Sequence, residues 1–181
     1  MSLLTIVARG NYISVVTECL ESNPQINEES VKFLELIPDT AIIVLNGDKD
    51  YVGMGADAAA TLVQQGFNLK EIADSLQTSF HNVLNYHVSG REIEGIIAGF
   101  STNGTSQYHI ISNINGLESY YPGRSECFYY ANDPKQMLEL EKLLKMHGIA
   151  TAEQAQAAQL HLLTNLHVSQ RHCASIYQKA N

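Results

Sequence analysis

The sequence has no tryptophan and only three cysteines and four prolines among its 181 residues. Cys19, Cys127 and Cys173 are odd in number, widely spaced and form no CxxC pair. That pattern supports neither a disulfide framework nor a cysteine-ligated zinc site, and it suits a reducing, cytoplasmic setting. Basic residues are also scarce: eleven Lys and Arg stand against nineteen Asp and Glu, for a formal charge of −8. So acidic a surface repels phosphate backbones, and nucleic acid is not an expected partner. No apolar run approaches the roughly 20 residues that span a bilayer. The longest, Ala41 to Leu45, is strand-sized. The opening MSLLTIVARG lacks a basic flank ahead of a long apolar segment, so it does not read as a signal peptide. No membrane partner is expected.

What remains is a core-forming chain. Hydrophobic residues are 45% and charged residues 17% of the sequence, which excludes a largely disordered protein and suits one domain over residues 1–181. Thr5-Ile-Val-Ala and Tyr12 to Thr17 are β-branched runs around Gly10-Asn11, a hairpin signal. Residues 19–30 read as a polar loop, followed by strands over 31–36 and 41–45. A Gly-rich turn at Gly53 then leads into an Ala-rich helix ending near Gly66. Asn68 is placed to cap a second helix, in which Leu69, Ile72, Ala73, Leu76, Phe80, Val83 and Leu84 recur at helical spacing.

A second β block follows. Gly95 to Phe100, the Asn103-Gly104 turn and Gln107 to Ser112 form a hairpin, and strands over 117–121 and 126–130 come next. Asp133 is positioned to cap a helix that Gly148 stops, and Thr151-Ala-Glu-Gln opens a last helix expected to run to about Tyr177. Segregated β and α blocks imply an α+β fold of antiparallel sheets with helices packed outside them.

Several motifs invite chemical readings. Gly53-x-Gly55-x-x-Ala58 is superficially a dinucleotide fingerprint, but two helices run consecutively into a hairpin where that fold needs repeated crossover units. Close packing of a helix start explains these glycines better. His81 and His87 are six residues apart, as are His161 and His167, so neither pair shares a helix face, and no HExxH occurs. No metal and no cofactor are therefore expected. Thr5 opens the first strand. An N-terminal Thr can use its own α-amino group as the base for its hydroxyl. For Thr5 that requires removal of residues 1–4.

Taken in order, several segments resemble the proteasome-type subunits of the N-terminal-nucleophile (Ntn) hydrolase superfamily over roughly residues 4–132. They are Thr5-Ile-Val-Ala, the hairpin strand ending Val15-Val-Thr-Glu18, Val31-Lys-Phe-Leu-Glu-Leu36, Ala41 to Leu45 and Gly53-Met-Gly-Ala-Asp-Ala. The helix pair and Ile96-Ile-Ala-Gly-Phe100 with Gln107-Tyr-His-Ile-Ile complete the series. The resemblance implies a four-layer αββα sandwich that self-assembles as a homo-oligomer. In an active member it would also imply a threonine-type peptidase or amidohydrolase acting on a peptide or amide substrate. Carried over, Thr5 is the nucleophile, Lys32 favours its deprotonated hydroxyl and Glu18 orients Lys32. The chain departs from the pattern as well. Matching Ile6-Val7-Ala8 to the family's Ile-Val-Gly places Leu4 at the nucleophile register. Tyr130-Ala-Asn-Asp133 stands where a Gly-Ser-Gly is usual, and the helical tail lacks closing strands. A catalytically degenerate member is the resulting expectation, with the active threonine hydrolase as its alternative.

Overall fold

The computed structural model describes residues 2–18, 29–86, 90–166 and 172–179. Cys19, most of the expected 19–30 loop, His87 and His167 lie outside the described residues. In chain order the elements are β1 (Leu4–Arg9), β2 (Tyr12–Glu18), β3 (Glu29–Ile37), β4 (Ala41–Asp48), α1 (Lys49–Gln64), α2 (Leu69–Tyr86) and β5 (Ile93–Phe100). They continue with β6 (Ser106–Ser112), β7 (Gly116–Tyr120), β8 (Cys127–Ala131), α3 (Pro134–His147), α4 (Ala152–Asn165) and β9 (His172–Gln178). Among the described residues this is a mixed α+β chain with two antiparallel sheets and four helices, as the segregated blocks implied. It divides into two compact units that interleave along the sequence.

One unit holds Glu21–Asn103 and Gln107–Tyr120. Its sheet runs in the order β3-β4-β5-β6-β7. Alternation along β4 sends Ala41, Ile43 and Leu45 into a core shared with Val52, Ala56 and Ala59 of α1 and Ile72, Leu76 and Phe80 of α2. The helical face read from the sequence of α2 is buried except for Val83, which is 36% exposed. Asn68 closes the N-terminus of α2 as expected. Its Oδ1 accepts from the Glu71 backbone N–H at 3.0 Å, and Glu71 Oε2 accepts from the Asn68 N–H at 2.8 Å.

The Gly53 turn is corrected. Helix α1 already begins at Lys49, where Asp48 accepts from the Asp50 N–H at 3.1 Å, so Gly53 and Gly55 lie inside it. The Asp48 cap marks that start, and packing explains Gly55. A Cβ on Gly55 would stand 2.6 Å from Phe80 Cζ and 2.9 Å from Leu45 Cδ1, so the glycine lets α1 approach both the sheet and α2. Close packing therefore accounts for Gly55, while Gly53 has open space where a Cβ would go.

The other unit holds Ser2–Leu20, Gly104–Ser106 and Tyr121–Asn181. Its sheet has the order β8-β1-β2-β9. Val7, Tyr12 and Val16 face a core made with Leu140, Leu143 and Leu144 of α3 and Ala155, Ala158 and Leu162 of α4. Asp133 caps α3, Gly148 ends it at φ 87°, and Thr151 with Gln154 forms the capping box of α4.

The expected last helix to Tyr177 is the second correction. Helix α4 stops at Asn165, and His172–Gln178 is a strand paired antiparallel with β2 from Tyr12↔Gln178 to Glu18↔His172. The Ala- and Gln-rich stretch before it favours helix locally, but the ladder offered by β2 decides the last segment. The tail therefore ends in a strand and is not helical throughout. A third difference concerns the thiols: Cys173 is disulfide-bonded, whereas Cys127 is free. Among the described residues no helix is long and apolar enough to cross a membrane.

Candidate functional site

Strand β1 carries Thr5 on the face that its odd-numbered residues turn toward α3 and α4. The side chain is completely buried. Its hydroxyl donates to the Val16 carbonyl at 2.9 Å, across the β1–β2 ladder, and accepts from Gln159 Nε2 at 3.0 Å. The Gln159 amide is used on both ends: Nε2 also donates to the Ser14 carbonyl at 3.2 Å, and Oε1 accepts from Ser14 Oγ at 2.6 Å. Thr5, Ser14 and Gln159 thus form a closed, buried network in which the polar groups satisfy one another.

The segment before Thr5 is tied down equally well. The Leu3 carbonyl accepts from the Glu18 N–H at 3.0 Å and from Thr17 Oγ1 at 2.8 Å. Asn132 holds both neighbours, accepting from the Leu4 N–H at 3.0 Å and donating to the Ser2 carbonyl at 2.9 Å. The Thr5 nitrogen is a peptide amide within β1, in register with Val16 and Ala131.

Glu18 ends β2 opposite His172, two residues beyond the partner of Thr5, and is half-buried. Lys32 lies in β3 opposite Leu45, is exposed, and belongs to the other unit. Thr5 and Glu18 therefore share a sheet, and Lys32 does not share it with them. Sequence reading missed Ser14 and Gln159, the groups that hold Thr5. Gln159 is one of many polar residues in α4, and no local signal marks it as a partner for a residue 154 positions away.

Among the described residues no cluster of three or more His, Cys, Asp or Glu could hold a metal ion. His147 and His161, on α3 and α4, meet edge to face with Nε2 and Nδ1 3.0 Å apart, a contact their sequence spacing did not suggest.

A cavity of about 330 Å³ opens between β8 and α3, lined by Cys127 and Tyr129 of β8, Glu141, Leu144 and Lys145 of α3, and Gly148 and Ile149 beyond it. Burial raises the Cys127 thiol above its ordinary value, so it is held protonated rather than as a thiolate. Burial, then the Glu141 charge and a hydrogen bond to it, also raises the Tyr129 phenol. The hydrogen bond to Lys145, 2.6 Å away, lowers Glu141 and raises Lys145 in turn.

No protein-family model matches the chain, and no curated protein matches its sequence.

Proposed function

We propose that the chain is a non-catalytic, self-assembling member of the proteasome-like Ntn-hydrolase fold, in which packing has replaced the nucleophile's chemistry. The observation that carries this reading is the state of Thr5, whose hydroxyl is buried and committed to the Val16 carbonyl and to Gln159. A nucleophile must meet a carbonyl carbon and pass its proton to a base. Thr5 has an amide nitrogen in place of the base, and Gln159 of α4 occupies its hydroxyl.

The four-layer αββα arrangement belongs to the same proposal. In both sheets the faces turned away from the helices are apolar and buried, with Ile6, Ile13 and Val15 in one and Ile42, Val44 and Ile96 in the other. Such faces favour sheet-on-sheet stacking. Self-assembly draws support from large apolar side chains left exposed on the helices, Leu138 and Met146 of α3 and Tyr86 of α2.

Native mass spectrometry with a peptide-hydrolysis assay tests this reading. The expected result is an oligomer of chains that retain residues 2–4 and hydrolyse no peptide, with Thr5→Ala assembling as the wild type does. A mature chain beginning at Thr5, with hydrolysis abolished by Thr5→Ala and by Lys32→Ala, would establish the alternative threonine hydrolase.

A further inference from the structure

We propose that the cavity between β8 and α3 binds a small zwitterion with an apolar side chain, of the class of a free hydrophobic amino acid. Its ammonium group would lie on Glu141, its carboxylate on Lys145 and its side chain against Cys127, Leu144 and Ile149.

Size comes first. At about 330 Å³ the cavity falls at the lower end of the range, roughly 300–1,000 Å³, in which small-molecule sites lie. Its chemistry is divided along its length. The protonated Cys127 thiol, Leu144 and Ile149 make an apolar wall, and one turn of α3 sets Glu141 and Lys145 side by side as an i,i+4 pair at its edge. Their side chains are 37% and 74% exposed, so water already competes for both charges and little is lost when either changes partner. A ligand with one charge would pair with only one of the two. A zwitterion replaces both partners at once, with its charges as closely spaced as the pair it displaces.

The cavity is also built in advance of any ligand. Arg9 Nη1 and Tyr12 Oη both donate to the Ile149 carbonyl, at 3.0 and 2.9 Å, which anchors the far wall to the β1–β2 hairpin. Gly148 closes α3 through its N–H to the Leu144 carbonyl at 2.9 Å, in a positive-φ conformation that few other residues adopt. Preorganisation of this kind lowers the entropic cost of binding.

The test uses the full chain, L-phenylalanine as probe, and N-acetyl-L-phenylalaninamide, which has neither charge, as its control. Backbone amide NMR shifts are followed for Tyr129, Leu144 and Ile149. L-phenylalanine should move these resonances saturably and slow maleimide labelling of Cys127, whereas the blocked amide should do neither. Lys145→Gln, at an exposed position, should weaken binding by about threefold through loss of the ion pair. The proposal is overturned by an absence of shifts with L-phenylalanine. Equal binding of the blocked amide, or an unchanged affinity in Lys145→Gln, would overturn it as well.

Discussion

Gln159 of α4 donates its side-chain amide to Thr5 Oγ1 at 3.0 Å, joining the first strand to the last helix. Both residues are fully buried, and Ser14 supplies the remaining acceptor and donor. A buried amide whose partners are all present stabilises the core, while one that loses a partner carries the full cost of desolvation.

Gln159→Leu should therefore destabilise the protein by about 1–3 kcal/mol, because Thr5 loses a donor and Ser14 loses both of its contacts. Thr5→Val should cost a similar amount. Since the two residues share one network, the double variant should lose less than the sum of the single losses, by about 0.5–3 kcal/mol. Urea denaturation of the four proteins measures this. Strict additivity would mean that the contact contributes nothing to stability.

The two glycines of α1 should respond in opposite directions. Gly53 has open space where a Cβ would go, so Gly53→Ala should stabilise by about 0.5–1 kcal/mol through helix propensity. At Gly55 the new methyl would meet Phe80 and Leu45 at under 3 Å, and overpacking of that kind costs about 1–3 kcal/mol. Thermal melts of both variants provide the check, with Gly55→Ala the less stable of the two.

His109 makes stability depend on pH. It is buried on β6, with Nε2 facing Gln107 Oε1 at 3.2 Å and Nδ1 facing Ser119 Oγ at 2.9 Å. The Gln107 oxygen can only accept, so the neutral ring carries its proton on Nε2. Burial, reinforced by the Lys70 charge and opposed by Asp74, lowers its pKa from 6.5 to about 4. Between those values the unfolded chain binds the extra proton and the folded chain does not. The contribution is complete above pH 6.5 and is lost as pH falls toward 4, amounting to at most about 3 kcal/mol. Urea titrations at a series of pH values should show that slope, and His109→Gln should reduce it. An identical slope in the variant would remove His109 as its source.

Asn113 ties α2 to the sheet beneath it. Its Oδ1 accepts from the Ile93 N–H at 2.9 Å, and its Nδ2 donates to Asn85 Oδ1 at 2.9 Å and to the Arg91 carbonyl at 3.0 Å. Asn113→Ala leaves the buried Ile93 N–H unpaired and should cost about 2–3 kcal/mol. Hydrogen exchange should quicken at Ile93 before it does so at Leu45 on the neighbouring strand. Uniform protection across both strands would contradict this local role.

The sequence by itself determined the features that neighbouring residues settle among themselves. The β1–β2 hairpin around Gly10-Asn11, the caps at Asn68, Asp133 and Thr151, the stop at Gly148 and the buried stripe of α2 all depend on residues within a few positions of one another. Tertiary structure decided the rest. The 172–178 segment became a strand because β2 offered it a ladder, and position 55 inside α1 holds a glycine because Leu45 and Phe80 leave no room for a side chain there. The environment of Thr5 was illegible for the same reason: Gln159 is remote in sequence and is brought over β1 only when α4 packs on the sheet. Local propensity draws on energies of a few tenths to about 1 kcal/mol per residue, and burial against a distant partner outweighs it.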